Sequence, residues 1–238
     1  VFVAHIDTGE QYRCEQISSP NSLETFPCFS PDGKYLYFCS AENKEDIISN
    51  YDSIQYNICR IAFDEETKTF GNKVDTLFNA KEDNGSASFP RISPDGKWLC
   101  FTRSDYGNFS ICHRESDLCL LDLLNDSIYN NEIPYSRLER ANSNQVDSFH
   151  SWSRNSRWIV FSSKRDDKIY TKPYFVHVDY DGNVSKPFLL PQLDAKNQYD
   201  LEMDCFNLPE LVSGKIAVEK IHLLKNAGTD RQKQISVN

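Results

Sequence analysis

Methionine occurs once in these 238 residues, tryptophan three times and glycine nine times. No apolar run approaches the ~20 residues that a membrane-spanning helix requires. The chain opens on Val1-Phe2-Val3 with no start methionine and no signal-peptide pattern, so it reads as processed or trimmed. Basic residues are short in supply: 26 Lys and Arg stand against 35 Asp and Glu, for a formal charge of −9 and a pI of about 5.1. No Lys/Arg-rich stripe is present, so no nucleic acid and no anionic membrane surface is expected as a partner, because both need a concentrated basic face.

Catalytic and ligand-binding signatures are missing as well. There is no Gly-x-Ser-x-Gly nucleophile elbow and no glycine-rich phosphate loop. The five histidines (His5, His113, His150, His177 and His222) form no His-x-x-Glu-His or similar ligand pair. The eight cysteines include no Cys-x-x-Cys. Their even number leaves disulfides open in an oxidising compartment. Cys28, Cys39, Cys59, Cys100 and Cys119, however, lie inside apolar runs, where cysteine usually acts as a small buried hydrophobe. The expectation is therefore mostly free thiols, no cofactor and no resident metal.

Aromatic residues are abundant, with 12 Tyr and 15 Phe. That composition favours strands, and an internal repeat gives it order. The segments FPCFSPDGKYLYFCSA (26–41), FPRISPDGKWLCFTRS (89–104) and FHSWSRNSRWIVFSSK (149–164) align without gaps, with starts 63 and 60 residues apart. Phe26, Phe89 and Phe149 match, as do Ser30, Ser93 and Ser153, then Lys34, Lys97 and Arg157, then Phe38, Phe101 and Phe161. Each copy reads as a β-hairpin. In its turn Pro pre-sets φ, Asp bonds nearby backbone N–H groups and Gly accepts positive φ. The third copy replaces Pro-Asp-Gly by Arg154-Asn155-Ser156, and Asn still suits a turn. The run after each turn is continuously apolar, as for a strand covered on both faces.

A looser repeat sits between these copies. Residues 1–9, 58–65, 118–126 and 175–183 each run apolar and then turn at Asp or Asn. Short strand candidates follow at Tyr12–Ile17, Val74–Phe78, Ile128–Ile133 and Val184–Leu190. His5 and His177 take matching places in the third strands, which favours a structural role. Four strands in about 60 residues predict an all-β fold: a β-propeller of four-stranded antiparallel blades. The count is about three and a half blades, with a half blade at 1–20 and full blades at about 21–80, 81–140 and 141–192. Because a propeller closes to hide its sheet edges, further sequence before Val1 or an unconventional closure is expected. Residues 193–238 read as a tail, with helix-compatible spacing over Asp194–Phe206 and a lone strand at Lys215–Leu224.

The Phe-Pro-x-x-Ser-Pro-Asp-Gly-Lys-x-Leu-x-Phe signature resembles the WD40-like (PD40) repeat of TolB-type propellers over roughly residues 1–190. With YGNFSIC, FHSW (149–152), SSKRDD (162–167) and PFLLPQ (187–192), the chain is similar to TolB-like proteins of the Bacteroidota cell envelope. The resemblance implies a periplasmic or envelope-associated propeller that binds other proteins, as TolB binds a peptidoglycan-associated lipoprotein. Some such proteins carry an upstream Cys-x-x-Cys-His motif; this chain has none, and no haem is implied.

Candidate sites are few. Asp179, Asp181 and Asn183 have the spacing of a calcium loop, but the twelfth position is Leu190, which cannot supply a carboxylate. The competing reading is a hairpin turn. Lys164-Arg165-Asp166-Asp167 is either a binding cluster or a solvated loop. It shares a rim with two other long loops, Ala41–Ile54 and Arg103–Asp117, and with the inter-blade connections, in one of which Ser86 falls. Long loops often carry function, and Arg and aromatic residues dominate interface energetics. Arg103, Asp105, Tyr106, Arg165 and Asp166 are therefore the expected contact residues, as exposed groups that contribute little to stability. They would meet a protein partner, or a small ligand or glycan, at this rim or at the funnel opening there. The leading expectation is a non-catalytic binding scaffold. The alternative is the propeller portion of an enzyme, either gating a peptidase or acting on glycans through funnel carboxylates. A third reading is a structural blade segment with no partner of its own.

Overall fold

The structure is a computed structural model and describes residues 1–5, 8–44, 46–125, 135–194, 199 and 203–214. It is an all-β propeller array. A two-stranded unit, β1 (Val3–Ala4) and β2 (Gln11–Tyr12), precedes three four-stranded antiparallel sheets. The first blade holds β3 (Ser22–Phe29), β4 (Tyr35–Glu42), β5 (Asn57–Asp64) and β6 (Thr69–Phe78). The second holds β7 (Ser86–Ile92), β8 (Trp98–Ser104), β9 (Asp117–Asp122) and β10 (Tyr135–Arg137). The third holds β11 (Asp147–Trp152), β12 (Trp158–Ser163), β13 (Lys172–His177) and β14 (Phe188–Leu189). In every blade each strand pairs with the next in sequence, and the first strands β3, β7 and β11 lie side by side.

The three repeat turns fold alike. In the first, the Tyr35 N–H donates to Ser30 Oγ at 3.0 Å, Ser30 Oγ donates to Asp32 Oδ1 at 2.6 Å, and the Lys34 N–H donates to the same oxygen at 3.1 Å. Ser93 with Asp95 and Ser153 with Asn155 repeat the pattern. The residue that completes the turn has positive φ each time: Gly33 at 72°, Gly96 at 77° and Ser156 at 58°. Ser156 is the exception to glycine, and its hydroxyl accepts the Asp95 N–H at 2.9 Å, tying the third turn to the second.

The apolar runs after the turns are covered on both sides, as their continuity predicts. Leu99 and Phe101 of β8 pack with Ile58, Leu77 and Phe78 of the first blade. Trp98 and Cys100, which alternate with them, pack with Ile159 and Phe161 of the third. Phe38, Phe101 and Phe161 are 1%, 0% and 0% exposed. All eight cysteines are free thiols, four of them fully inside. Burial pushes Cys59 up to about 11.

The aligned phenylalanines that begin the repeat do something the spacing does not announce. Phe26, Phe89 and Phe149 have φ of 50°, 55° and 30°, a rare conformation for a bulky residue. Each sits where its hairpin register breaks, between Thr25 and Cys28, Ser88 and Arg91, and Ser148 and His150. These are β-bulges, which re-aim a side chain. The three rings meet at centroid distances of 5.5, 6.5 and 4.9 Å, at steep angles, and fill the space between the inner strands.

Several expected elements differ. Of the candidate Tyr12–Ile17 only Tyr12 is strand, as the end of Gln11–Tyr12; Glu15–Ile17 is a 3-10 turn that buries Ile17. The fourth-strand candidate Ile128–Ile133 lies outside the described residues, and the strand that pairs with β9 is Tyr135–Arg137. Of the helix expected over Asp194–Phe206, residues 195–198 and 200–202 lie outside the description. Tyr199, between the undescribed stretches, is helical, and residues 203–207 are irregular. Lys215–Leu224 and His222 also lie outside it.

Two outcomes follow from this packing. Phe101→Ala should destabilise the protein by roughly 3–5 kcal/mol, read as a lower denaturation midpoint at unchanged slope. The second concerns His150, which is 1% exposed, with neither ring nitrogen hydrogen-bonded. Burial pushes its pKa down to about 3. The unfolded state then takes up a proton that the folded state refuses, so stability present above roughly pH 6.5 is lost as pH falls from there towards 3. In His150→Leu that component of acid sensitivity should vanish from a pH series of unfolding curves.

Candidate functional site

The long-loop rim joins the blades through polar contacts. Its loops are residues 43–56, 105–116 and 164–171, together with the inter-blade connections. Helix α1 (Ala80–Asp83), in the first connection, is capped by Asn79, whose side chain accepts the Lys81 and Glu82 N–H groups. Asp83 at its end meets Arg103 from the end of β8, Nε to Oδ1 at 2.8 Å. Arg103 also donates to Asp105 Oδ1 at 3.0 Å and to the Asn84 carbonyl at 3.2 Å. The other oxygen of Asp83 accepts the Tyr135 hydroxyl. Burial and that acceptor together push Tyr135 up to about 12. A Cβ on Gly85 would stand 2.5 Å from both the guanidinium and the Asp83 carboxylate, so any larger residue there would push this pair aside.

Arg165 repeats the arrangement one blade on. Its Nη2 donates to Asp147 Oδ1 at 2.6 Å and to the Ala141 carbonyl at 2.7 Å, and its Nε donates to Ser163 Oγ at 2.9 Å. The guanidinium lies 4.5 Å from the Tyr174 ring centre. Lys172 bridges Asp166 and Asp167 at 3.4 Å each. Burial, then the hydrogen bond to Asp166, raises the Tyr174 pKa.

These contacts correct the expectation that Arg103 and Arg165 are exposed charges with little part in folding. Their side chains are 10% and 16% exposed, and their partners Asp83 and Asp147 are 18% and 0% exposed. Both arginines latch the loop after a second strand onto the connection that enters the same blade. Asp105 at 63% and Asp166 at 42% do reach solvent, and Tyr106 is half-buried.

Tyr106 belongs to a cluster that spans two blades. Tyr51 Oη lies 3.2 Å from His113 Nε2, and Glu115 Oε1 lies 3.4 Å from His113 Nδ1. Tyr106 stands edge-on to His113 at 4.5 Å. Gly107, at φ 68°, lets Tyr51 approach; a Cβ there would be 2.7 Å from its hydroxyl. Ser86 stitches the two loops, accepting the Tyr56 N–H at 2.9 Å and donating to the Gly107 carbonyl at 2.5 Å. Ser110 with Ser148, and the Asp147 N–H with the Ser116 carbonyl, carry the stitching into the third blade. Tyr51 and His113 are 62 residues apart in sequence, and no local motif couples them.

The calcium candidate folds as a turn. Asp179 Oδ1 accepts the Asp181 and Asn183 N–H groups at 2.9 and 2.8 Å, and its Oδ2 accepts Asn183 Nδ2 at 2.9 Å. Donors surround the carboxylate, which holds its pKa below the ordinary range. Gly182 packs on Trp98. Among the described residues no group of three His, Cys, Asp or Glu is placed to hold a metal. Concave surface also occurs at the opposite rim, which holds the tight turns at Asp32-Gly33 and Asp95-Gly96. A cavity of about 550 Å³ lies between β1–β2 and the first blade, near Tyr12, Phe29 and Phe63. One of about 440 Å³ lies between the first and second blades, near Tyr35, Tyr37 and Arg60.

The sequence matches no family model and no curated protein. Among solved structures the chain is similar to TolB from Acinetobacter baumannii, at 21% identity and a TM-score of 0.50, over 81% of this chain and 38% of that one. It is also similar to a puromycin-hydrolyzing peptidase of Mycobacterium tuberculosis, at 12% identity and a TM-score of 0.50, over 73% of this chain and 24% of that one. The chain thus spans well under half the length of either. Identities this low establish the β-propeller fold and nothing finer. Among the described residues no helix is long and apolar enough to cross a membrane.

The latches make a sharp contrast testable. Arg103→Gln leaves Asp83 buried without its cation and should lower stability by about 3 kcal/mol. Asp105→Asn, which removes only the exposed partner, should change it by less than ~1 kcal/mol. Chemical denaturation of the two variants distinguishes latch from surface pair, and equal effects would contradict the assignment.

Proposed function

We propose that this chain is a non-catalytic, protein-binding propeller scaffold of the cell envelope, with the long-loop rim as its contact face. One observation carries the reading. The rim loops are fixed by buried ion pairs, by the Tyr51–Tyr106–His113 cluster and by serine stitches, so they offer a pre-organised surface. Pre-organisation lowers the ordering cost of binding. On that surface Asp105 and Asp166 present side chains outward beside the half-buried Tyr106, while Arg103 and Arg165 hold the backbone beneath them. Envelope placement follows from the resemblance to TolB-type repeats and is part of the proposal.

Photo-crosslinkers placed singly at Asp105, Asp166 and Lys34 in the full chain, within its native envelope fraction, test the face. Specific adducts at the first two positions and none at Lys34, which sits beside a tight turn, are expected. Adducts only at Lys34 would overturn the choice of rim. Turnover of a peptide or glycan panel, abolished by changing one carboxylate of this chain, would instead establish the enzymatic reading.

A further inference from the structure

The third strands of the blades differ at one position. Opposite Cys100 in the second blade lies Leu120, and opposite Val160 in the third lies Phe175. The first blade places an arginine there, with Arg60 opposite Tyr37. Tyr35 and Tyr37 in turn stand where the second blade has Trp98 and Cys100. A charge is costly to bury at a position that the repeat keeps apolar, yet the Arg60 side chain is only 7% exposed. Its neighbours accommodate it. Arg60 Nε meets Asp75 Oδ2 at 3.3 Å, and the guanidinium lies 4.7 Å from the Tyr35 ring centre. Burial raises the pKa of the Tyr37 hydroxyl, and a hydrogen bond with Arg60 works against that rise.

These departures from the repeat converge on one place. Arg60, Tyr35 and Tyr37 line the cavity of about 440 Å³ in the seam between the first and second blades. Ile92 and Leu123 of the second blade line it too, as do the turn residues Asp32 and Asp95, one from each blade. A concavity of this size with apolar walls and a few polar groups is suited to a small molecule. The polar groups decide its class. A guanidinium only donates hydrogen bonds, a carboxylate only accepts them, and a tyrosine hydroxyl does both. Asp32 and Asp95 use Oδ1 for the serine and backbone donors of their turns, and a carboxylate offers about four acceptor positions. An anion in this cavity would meet two carboxylates, and a cation would meet Arg60. A neutral ligand rich in hydroxyls suits both signs, because each hydroxyl accepts from the guanidinium or donates to a carboxylate. Its apolar C–H face then packs against Leu123 and the tyrosine rings.

We propose that the seam between the first and second blades binds a neutral sugar residue, whose hydroxyls are read by Arg60, Asp32 and Asp95. The site lies at the opposite rim from the protein-contact face and is independent of that face's assignment.

Saturation-transfer NMR on the full chain tests this, with the methyl glycosides of glucose, galactose, mannose and N-acetylglucosamine as probes. At least one should bind, with a dissociation constant in the millimolar range. Disaccharides that end in the bound sugar separate two sources: they should compete if the ligand is the end of a glycan, and fail to compete if it is a free monosaccharide. Arg60→Leu places here the residue that the second blade carries and should weaken binding on the order of tenfold. Asp75 keeps Lys73 at 2.7 Å, and an apolar side chain in place of a buried ion-pair partner is tolerated in such packing. Tyr35→Trp, again the second blade's residue, should narrow the cavity and abolish binding. No transfer from any glycoside, or transfer that survives both substitutions, would overturn the proposal. Tighter binding of glucuronate or glucosamine than of methyl glucoside would also overturn it, since an anion or a cation would then be the ligand. Amide spectra of the native chain give a readout that needs no variant. The bound glycoside should shift the Tyr35, Ile92 and Leu123 signals, and shifts confined to other residues would place the sugar elsewhere and refute the site.

Discussion

Everything in this molecule depends on covering the second strand of each blade from both sides. Leu99 and Phe101 need the first blade, and Cys100 needs the third. A single blade of this composition would leave one apolar face in water, which is why propeller blades are stable only in company. The positive φ of Phe26, Phe89 and Phe149 follows from the same demand. Backbone strain of this kind costs about 1–3 kcal/mol per residue. It is held because each bulge swings a large ring into the space that converging inner strands leave, where it packs on the rings of neighbouring blades. The strain and the packing that offsets it reside in the same residue, and they recur with the repeat.

Packing alone leaves the blades' polar ends to be joined. At the tight-turn end the joints are small: Ser156 to the Asp95 backbone, Lys97 to the Tyr180 carbonyl at 2.7 Å and Arg157 over the Tyr180 ring at 3.7 Å. At the long-loop end they are large, with two buried guanidiniums each satisfying a carboxylate and a backbone carbonyl. A buried ion pair adds little stability over apolar packing but is costly to break, so it selects one arrangement of the groups it joins. Applied to loops, that selectivity turns long, polar connections into a defined surface.

The sequence made the hairpins legible because their determinants are local. Ser, Asp and Gly act within five residues of one another, and the hydroxyl and carboxylate bonds of the three turns form as those residue types predict. Double-sided burial was legible from unbroken apolarity. The fate of Arg103 and Arg165 was not. Asp83 and Asp147 lie 20 and 18 residues before their arginines, at separations no local pattern marks, and a charged residue after a strand ordinarily reads as solvated. The alignment of the bulged phenylalanines is legible but their strain is not, since backbone sign is invisible in a residue that rarely adopts it. Asp179 looked like a ligand because oxygen spacing alone does not say whether donors or a cation will fill it.

The flank of the third blade brings these strands of reasoning together. A face built with the same alternation as its neighbours has Val160 where a hydrophobe suits blade packing, but Ser151, Ser162 and Thr171 around it. Hydroxyls on a flank cannot be satisfied by another apolar blade face, and buried hydroxyls seek partners. They are suited to a backbone, whose N–H and C=O groups are spaced along an extended segment, and Ser151 and Ser162 each bond one such group here. The second blade, packed on both sides, differs at the position aligned with Ser162: there the Thr102 hydroxyl lies buried without a hydrogen bond, whereas Ser162 donates to a backbone carbonyl.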